Sequence, residues 1–442
     1  MEPVVYISLE LKGRDLDQRL LVTAELLKRG LNVVIGQQWL LSKNIFNLPK
    51  GVFLFKTVNE IQASNMYNAA QAGHIITASD EEVFACDCED CFKSGMGPTA
   101  AAILDIFFAQ GKKHADIVAK QYPEFRGNIS ITGNPRIDLL RNWGQKCYQS
   151  EAIRIKKDVG PFILYNTNFG WINSIWNKNE NPREIAIRTG HLVLDDPKSV
   201  QAYEAELDWE QKNLNELEKL AFWTSENLKH IKTVIRPHPA EDSDYWKSKF
   251  KNIDNVIVAE NTNHIPWTMA ASLLIHTTCS TGMEASLLNI PSLSITPKPE
   301  AAQHNYILSN RINCTTKSWQ TARDIVDNFI SRKNVPLTKS LEPKVILEEY
   351  FSNIDQNMAA TIIASNIKDK LECHTKLPNK KYKWGLKPNH PWIPIKRRDE
   401  WKRKFSITAE EFAQRMKKMG DLAKLNKKVI VNQIDDSLFL VS

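Results

Sequence analysis

Short apolar runs alternate with segments of helical periodicity through the first two-thirds of the chain, the pattern of parallel strands covered by helices. Val4–Leu9 reads as a buried strand, Asp17–Arg29 as an amphipathic helix stopped by Gly30, and Val33–Gly36 as the next strand, so the chain opens on a βαβ unit. Further strands are predicted at Val52–Phe55, His74–Thr77, Ile103–Ala109 and Ile129–Thr132. A second series begins at Phe162–Tyr165, passes a long helical stretch from Pro197 to His230, and continues at Thr233–Ile235, Val256–Ala259, Leu273–Ile275 and Ser292–Ile295. The expectation is an α/β protein with two Rossmann-like domains, over residues 1–145 and 155–370, facing a central cleft, and an extension over 371–442. Open parallel sheets bind ligands beyond the carboxyl ends of their strands. The residues just after each strand are therefore the candidates for chemistry.

With 442 residues and 42% hydrophobic content the chain can bury a core in each of two domains, which excludes a disordered or fibrous protein. No apolar run approaches the roughly 20 residues of a membrane span, and Met1-Glu2-Pro3 does not open a signal-like pattern. Seven scattered cysteines do not read as a disulfide framework, so a cytoplasmic setting is expected. The net charge of +7 arises mainly near the C-terminus, where Lys380-Lys381, Lys383, Lys387, Lys396-Arg397-Arg398 and Lys402-Arg403-Lys404 are interleaved with Trp384, Trp392 and Trp401. Residues 376–404 read either as a solvated arm or as a peripheral contact with anionic lipid at the inner membrane. No DNA or RNA motif accompanies the charge, so nucleic acid is not an expected partner.

Six strand ends carry unusual residues. Leu273-Leu274-Ile275 runs into His276-Thr277-Thr278-Cys279-Ser280-Thr281-Gly282 and then a helix carrying Glu284. Backbone N–H groups and hydroxyls converging there outline a phosphate site, with Glu284 one turn on to accept from a ribose; plain N-capping by Ser280 or Thr281 is the alternative. Arg236-Pro237-His238-Pro239 ends another strand. Two prolines stiffen the backbone around an imidazole beside a guanidinium, which suits a phosphate leaving group, or simply ends the strand. Asp80-Glu81-Glu82 follows a strand of the first domain; carboxylates this close raise one another's pKa toward the range of a general base, unless the loop is merely a solvated cap. Glu10, Lys12, Arg14, Asp15, Asp17 and Arg19 crowd the exit of the first strand, where Glu10 is a candidate contact to a sugar or acceptor, Lys12 and Arg14 are candidate contacts to a sugar carboxylate or acceptor, and Asp15 or Asp17 is a candidate cap. Asn134 and Arg136, and Asn166 and Asn168, stand where short amides either bond sugar hydroxyls or close turns.

Cys86, Cys88 and Cys91 supply three thiolates without a fourth ligand, so no metal site is expected. The chain has no phosphate-loop lysine motif, no nucleophile elbow and no H-E-x-x-H helix.

Taken in order, Glu10-x-Lys12-x-Arg14-x-Leu16-Asp17-x-Arg19, Asp80-Glu81-Glu82, Thr132-Gly133-Asn134-Pro135-Arg136-x-Asp138, Asn166-Thr167-Asn168-Phe169-Gly170, Arg236-Pro237-His238-Pro239 and His276-Thr277-x-x-Ser280-Thr281-Gly282-x-Glu284-Ala285 resemble the bacterial surface carbohydrate biosynthesis protein family over roughly residues 3–310. That family is similar to GT-B glycosyltransferases and more distantly to Kdo transferases and bacterial sialyltransferases. The resemblance implies a GT-B-like fold, a CMP-activated 2-keto-3-deoxy sugar acid as donor, a glycan or lipid-linked acceptor and no metal cofactor. It further implies a base among Asp80, Glu81 and Glu82, with Glu81 foremost. His238 with Ser280 and Thr281 would sit at the CMP phosphate, alongside Arg236, Pro239, Thr277, Thr278 and Gly282, and Glu284 at ribose. The chain departs from the pattern at Val83, where relatives carry glycine. It departs again at Asn166-Thr167-Asn168, where retaining relatives place an aspartate. Transfer of a glycerol or ribitol phosphate from a CDP-alditol, nucleotide-sugar epimerisation and non-catalytic binding of a sugar nucleotide are the competing readings.

Overall fold

A computed structural model describes residues 4–176, 181–188, 190–260, 263–298, 307–331, 337, 343–373, 405–435 and 437–442. The basic segment 376–404 lies outside them. The chain divides into two compact units, one of Met1–Cys147 with Val345–Ser442 and one of Tyr148–Lys344.

The first unit is built on an eight-stranded sheet. Its strands are β1 (Val4–Leu9), β2 (Asn32–Gln37), β3 (Gly51–Phe55), β4 (Ile75–Ser79), β5 (Ile106–Ala109), β6 (Ile129–Ile131), β13 (Val431–Asp435) and β14 (Leu438–Val441), in spatial order β13-β14-β2-β1-β3-β4-β5-β6. Strands β1 to β6 are parallel and β13-β14 is an antiparallel hairpin added beside β2. Central strands covered on both faces read as unbroken apolar runs, as Val4–Leu9 and Gly51–Phe55 do. Tyr6 stacks on Phe53 at 4.7 Å in the core.

Two features of this unit correct the sequence expectation. The first helix spans Lys12–Lys28 and so begins five residues early. Its start is held by Asp15, whose carboxylate accepts the N–H groups of Leu11 at 2.9 Å and Glu10 at 3.2 Å, so the charged segment is helix rather than loop. The second correction concerns domain composition: residues from Val345 onward, expected in part in the second domain and in part as a separate extension, complete the first unit. Helix Ala359–Cys373 packs on helices Lys12–Lys28 and Pro135–Leu140, and the Asp138 carboxylate accepts the N–H groups of Ala359 and Ala360 at 3.1 and 3.0 Å. Helix Ala409–Leu422 also covers Lys12–Lys28, with Lys12 paired to Glu411 at 2.7 Å and Arg415 to Asp17 at 3.0 Å. A β-carbon on Gly36 would lie 2.1 Å from the Ser437 carbonyl oxygen, so only glycine lets β14 dock on β2. These pairings are non-local and leave no periodic trace.

Cys86 and Cys91 form a disulfide, which the scattered cysteine spacing did not suggest. Among the described residues no group of three or more His, Cys, Asp or Glu side chains is arranged to hold a metal ion, and no helix is long and apolar enough to cross a membrane.

The second unit holds a six-stranded, wholly parallel sheet of β7 (Phe162–Asn166), β8 (Lys232–Arg236), β9 (Val256–Val258), β10 (Leu273–His276), β11 (Ser292–Ile295) and β12 (Cys314–Thr316), in order β12-β11-β10-β7-β8-β9. Helix Pro197–Asn227 covers one face; its N-cap Asp196 accepts the Lys198 N–H at 3.0 Å and Pro197 occupies the first turn. On that face pack Tyr165, Leu217, Ile235, Trp246 and Ile275; on the other pack Leu164, Val234, Leu274 and Ala285.

Sheet order fixes where ligands belong. In the second unit the chain leaves β7 toward β8 and β9 and returns on the other side as β10. The topological switch therefore falls between β7 and β10, the place where open parallel sheets bind ligands. In the first unit the switch falls between β1 and β3.

Candidate functional site

At the switch of the second unit, Asn166 ends β7 in register with Arg236 of β8 and His276 of β10. Asn166 is 1% exposed, and neither atom of its amide is hydrogen-bonded among the described residues. Buried amides are ordinarily paired, which marks this strand end as a place for a ligand or water.

The turn after β7 is tied to the turn after β10. Asn168 donates through Nδ2 to the Thr278 carbonyl at 3.3 Å and accepts the Thr277 hydroxyl at 3.0 Å. Thr278 is held at φ +52°, a strained conformation for a β-branched residue. Its N–H reaches Ser294 Oγ at 3.3 Å, and its hydroxyl accepts Asn310 Nδ2 at 3.1 Å. Beneath it His276 is fully buried. Its Nδ1 accepts the Cys279 N–H at 3.2 Å, so the ring proton is on Nε2, facing Asn313 Oδ1 at 3.2 Å. Burial pushes this imidazole down to about 4, so it is neutral.

Ser280 and Thr281 open helix Thr281–Leu287, but neither caps it: the Ser280 side chain makes no cap bond and the Thr281 hydroxyl turns to Cys279 Sγ at 3.2 Å. A β-carbon on Gly282 would lie 2.2 Å from His276 Nε2 and 2.4 Å from Asn313 Oδ1, so this glycine allows the helix to close over the histidine. Glu284 is wholly buried with Oε2 at 2.9 Å from His264 Nε2.

The turn after β8 is organised by a residue that sequence reading missed. Glu241 accepts from five groups: the Thr167 hydroxyl at 2.6 Å, the N–H groups of Phe169 and His238 at 3.1 Å each, Asn173 Nδ2 at 3.2 Å and Trp246 Nε1 at 3.0 Å. Burial raises its pKa above the usual carboxylate range against the pull of these donors. One carboxylate thus fixes the Asn166–Phe169 turn and the Arg236–Pro239 turn together. The signal was available, since Glu241 stands three residues after His238 and can fold back onto its N–H. His238 Nδ1 accepts the Ala240 N–H at 3.2 Å, leaving the ring proton on Nε2. His238 lines a cavity of about 360 Å³ with Asn168, Trp171, Trp176, His191 and Glu210.

At the switch of the first unit the expected carboxylates separate by environment. Lys56, just after β3 and almost wholly buried, bonds Glu10 at 2.6 Å and Glu82 at 2.9 Å. Arg14 sits 2.8 Å from Asp15 and 3.5 Å from Glu82. Glu81, the foremost base candidate, is buried against Arg19 at 3.5 Å and accepts Gln18 Nε2 at 3.3 Å, so it is enclosed as one half of an ion pair. Asp80 is buried as well; desolvation, with Glu82 and Glu81 adding to it, pushes its carboxyl up to about 7. Its Oδ1 accepts the Glu82 N–H at 3.1 Å. Glu82 is 49% exposed in its side chain; burial raises its pKa, but Arg14 and Lys56 carry it below the ordinary range. Asn134 caps helix Pro135–Leu140 through the Arg136 N–H at 2.8 Å, and Arg136 lies over the Phe84 ring at 4.4 Å. Both hold the local structure, as Lys12 does with Glu411.

No protein-family model and no curated protein matches the chain. Solved structures do. A putative UDP-N-acetylglucosamine 2-epimerase from Listeria monocytogenes is similar over 86% of this chain and 99% of its own, with 13% identity and a TM-score of 0.50. S. aureus MnaA, in a co-structure with UDP, is similar over 86% and 99%, with 14% identity and a TM-score of 0.48. The wall teichoic acid polymerase TagF is similar over 85% and 90%, with 11% identity and a TM-score of 0.45. At such identities the likeness is one of fold: this chain is an α/β protein of the GT-B kind, with two Rossmann-like domains.

Proposed function

We propose that the chain is a glycosyltransferase of surface-polysaccharide synthesis that takes a CMP-activated sugar and passes it to a glycan or lipid-linked glycan. The observation that carries this is the Glu241 network, which presents His238 beside Asn168 and the Thr277–Thr281 turn at the switch of a parallel sheet. A nucleotide phosphate placed there meets the His238 Nε2 proton and the Ser280 hydroxyl, donors that stabilise charge on the leaving CMP. Asn166, its amide unbonded, and Arg236 stand at the same strand ends. In the reaction the bond from the anomeric carbon to the phosphate oxygen breaks, with its electron pair leaving on CMP. The acceptor oxygen bonds to that carbon as its proton passes to a base. Glu284 bonds the ribose in this reading, once His264 shares it.

The test is CMP release from CMP-linked sugar acids and neutral sugars with glycan acceptors, with products identified by mass. Turnover that falls at least about 100-fold in His238→Ala is expected. Absence of CMP release from every CMP-linked donor and of UDP release from every UDP-linked donor would overturn the proposal, and transfer of a phosphoalditol from a CDP-alditol supplied in their place would replace it with alditol-phosphate transfer.

A further inference from the structure

The cavity beside His238 is walled by two tryptophans, and one is fixed in place with unusual completeness. Trp171 donates its backbone N–H to Glu210 Oε2 at 3.1 Å and its indole N–H to Glu206 Oε1 at 3.1 Å, and Ile172 adds an N–H to Glu210 at 3.0 Å. Glu206 and Glu210 stand one turn apart on helix Pro197–Asn227, so a single helix face holds this residue by its backbone and by its indole N–H. His191 and Tyr203 meet the ring edge-on at 5.1 and 5.8 Å, which stops it swinging. Trp176, Pro182 and Ile185 complete an apolar wall, while Asn168, Ser174, His191 and Glu210 supply the polar groups.

We infer that this cavity is a carbohydrate subsite that takes one neutral or amino-bearing pyranose, stacked on the tryptophan wall and hydrogen-bonded by Glu210, and that it rejects a sugar acid. An apolar lining that includes aromatic side chains, with a few fixed polar groups, is the usual form of a small-molecule site. A pyranose matches it: the C–H face lies on a rigid aromatic plate while hydroxyls donate to a carboxylate and an amide. Glu210 gives the discrimination. It is buried, and among the described lining residues neither lysine nor arginine accompanies it. A ligand carboxylate would add a like charge in a poorly solvated space. Burial, with Glu206 and Glu241 nearby, already pushes the Glu210 carboxyl up to about 7.

The inference deepens the proposed function only in naming which sugar the site holds; binding of a pyranose does not require His238 to contact phosphate. Saturation-transfer NMR on the full-length protein at pH 8 would use methyl glucoside, methyl N-acetylglucosaminide and methyl glucuronide as probes, with CMP affinity measured separately by calorimetry. Transfer to the two neutral probes is expected, with the glucuronide at least tenfold weaker. Glu210→Gln should bring the glucuronide up toward the neutral probes. Trp176→Leu, chosen because Trp171 is built into the fold, should weaken the neutral probes at least tenfold and leave CMP affinity unchanged. Equal binding of acidic and neutral probes, or neutral binding untouched in Trp176→Leu, would overturn the subsite. Competition identifies the source of the ring: displacement by a CMP-linked neutral sugar but not by CMP makes it the donor's, and joint occupancy makes it the acceptor's. Pyranose binding without any nucleotide binding would sink the proposed function and leave the subsite standing.

Discussion

Both units bring carboxylates to the topological switch of a parallel sheet, and they stabilise them in opposite ways. In the first unit the carboxylates other than Asp80 have counter-charges: Lys56 lies between Glu10 and Glu82, Arg14 beside Asp15, and Arg19 against Glu81. In the second unit Glu241 and Glu210 are held by N–H and O–H donors alone. Counter-charges hold Glu82 and Asp15 below the usual carboxylate range, whereas Glu241 and Glu210, bonded by neutral donors, rise under burial. Neutral donors leave the charge uncompensated while fixing geometry in many directions. That arrangement suits turns that must stay rigid around a ligand.

The largest expected effect comes from breaking the neutral network. Glu241→Ala leaves five donors without their acceptor, and at about 1–3 kcal/mol for each that cannot reach water the loss should be at least about 5 kcal/mol, read by urea unfolding. A loss under about 1 kcal/mol would mean that Glu241 does not organise the two turns. Next comes the ion pair. Glu81→Ala strands the Arg19 guanidinium and should destabilise by about 3–5 kcal/mol, whereas Arg19→Met combined with Glu81→Leu should recover most of it. If the double variant were as unstable as the single one, the pair would not act as a unit. It should also retain CMP-release activity if Glu81 is structural, and lose it if Glu81 is the base.

Asp80 offers the smallest and most specific test. Its carboxyl, pushed up to about 7 by burial, holds a proton in the native state that the unfolded chain has released above about pH 4. Native stability therefore falls as pH rises from about 4 to about 7, by up to about 1.4 kcal/mol per pH unit. Asp138 and Glu210 share this window, so the informative quantity is wild type minus Asp80→Asn. That difference should fall across the window, and a flat one would place the Asp80 carboxylate in a better-solvated position than its burial indicates.

Much of the candidate site was legible because it is local. His276–Glu284 and Arg236–Pro239 are strand ends followed by turns, and a turn declares itself through glycine, proline and hydroxyl residues within a few positions. What those residues do was less legible. Gly282 reads as part of a phosphate loop, but its missing β-carbon makes room for His276 and Asn313. Asn134 reads either as a sugar contact or as a residue that closes a turn, and in the fold it caps a helix. The ranking of Asp80, Glu81 and Glu82 could not be read at all, because adjacent carboxylates look alike until Arg19, Lys56 and Arg14 arrive from other strands and helices.

By itself the sequence determined the two α/β series and nearly every strand of β1 to β12, and it marked the strand ends as candidates for chemistry, because hydrophobic periodicity and turn chemistry act over a few residues. Only the tertiary structure decided that the chain from Val345 onward returns to the first unit, that Glu241 clamps two turns, and that Trp171 and Glu210 share a cavity. Those outcomes rest on burial and on partners tens to hundreds of residues apart, and the energy of a buried charge depends on what surrounds it rather than on its neighbours in the chain.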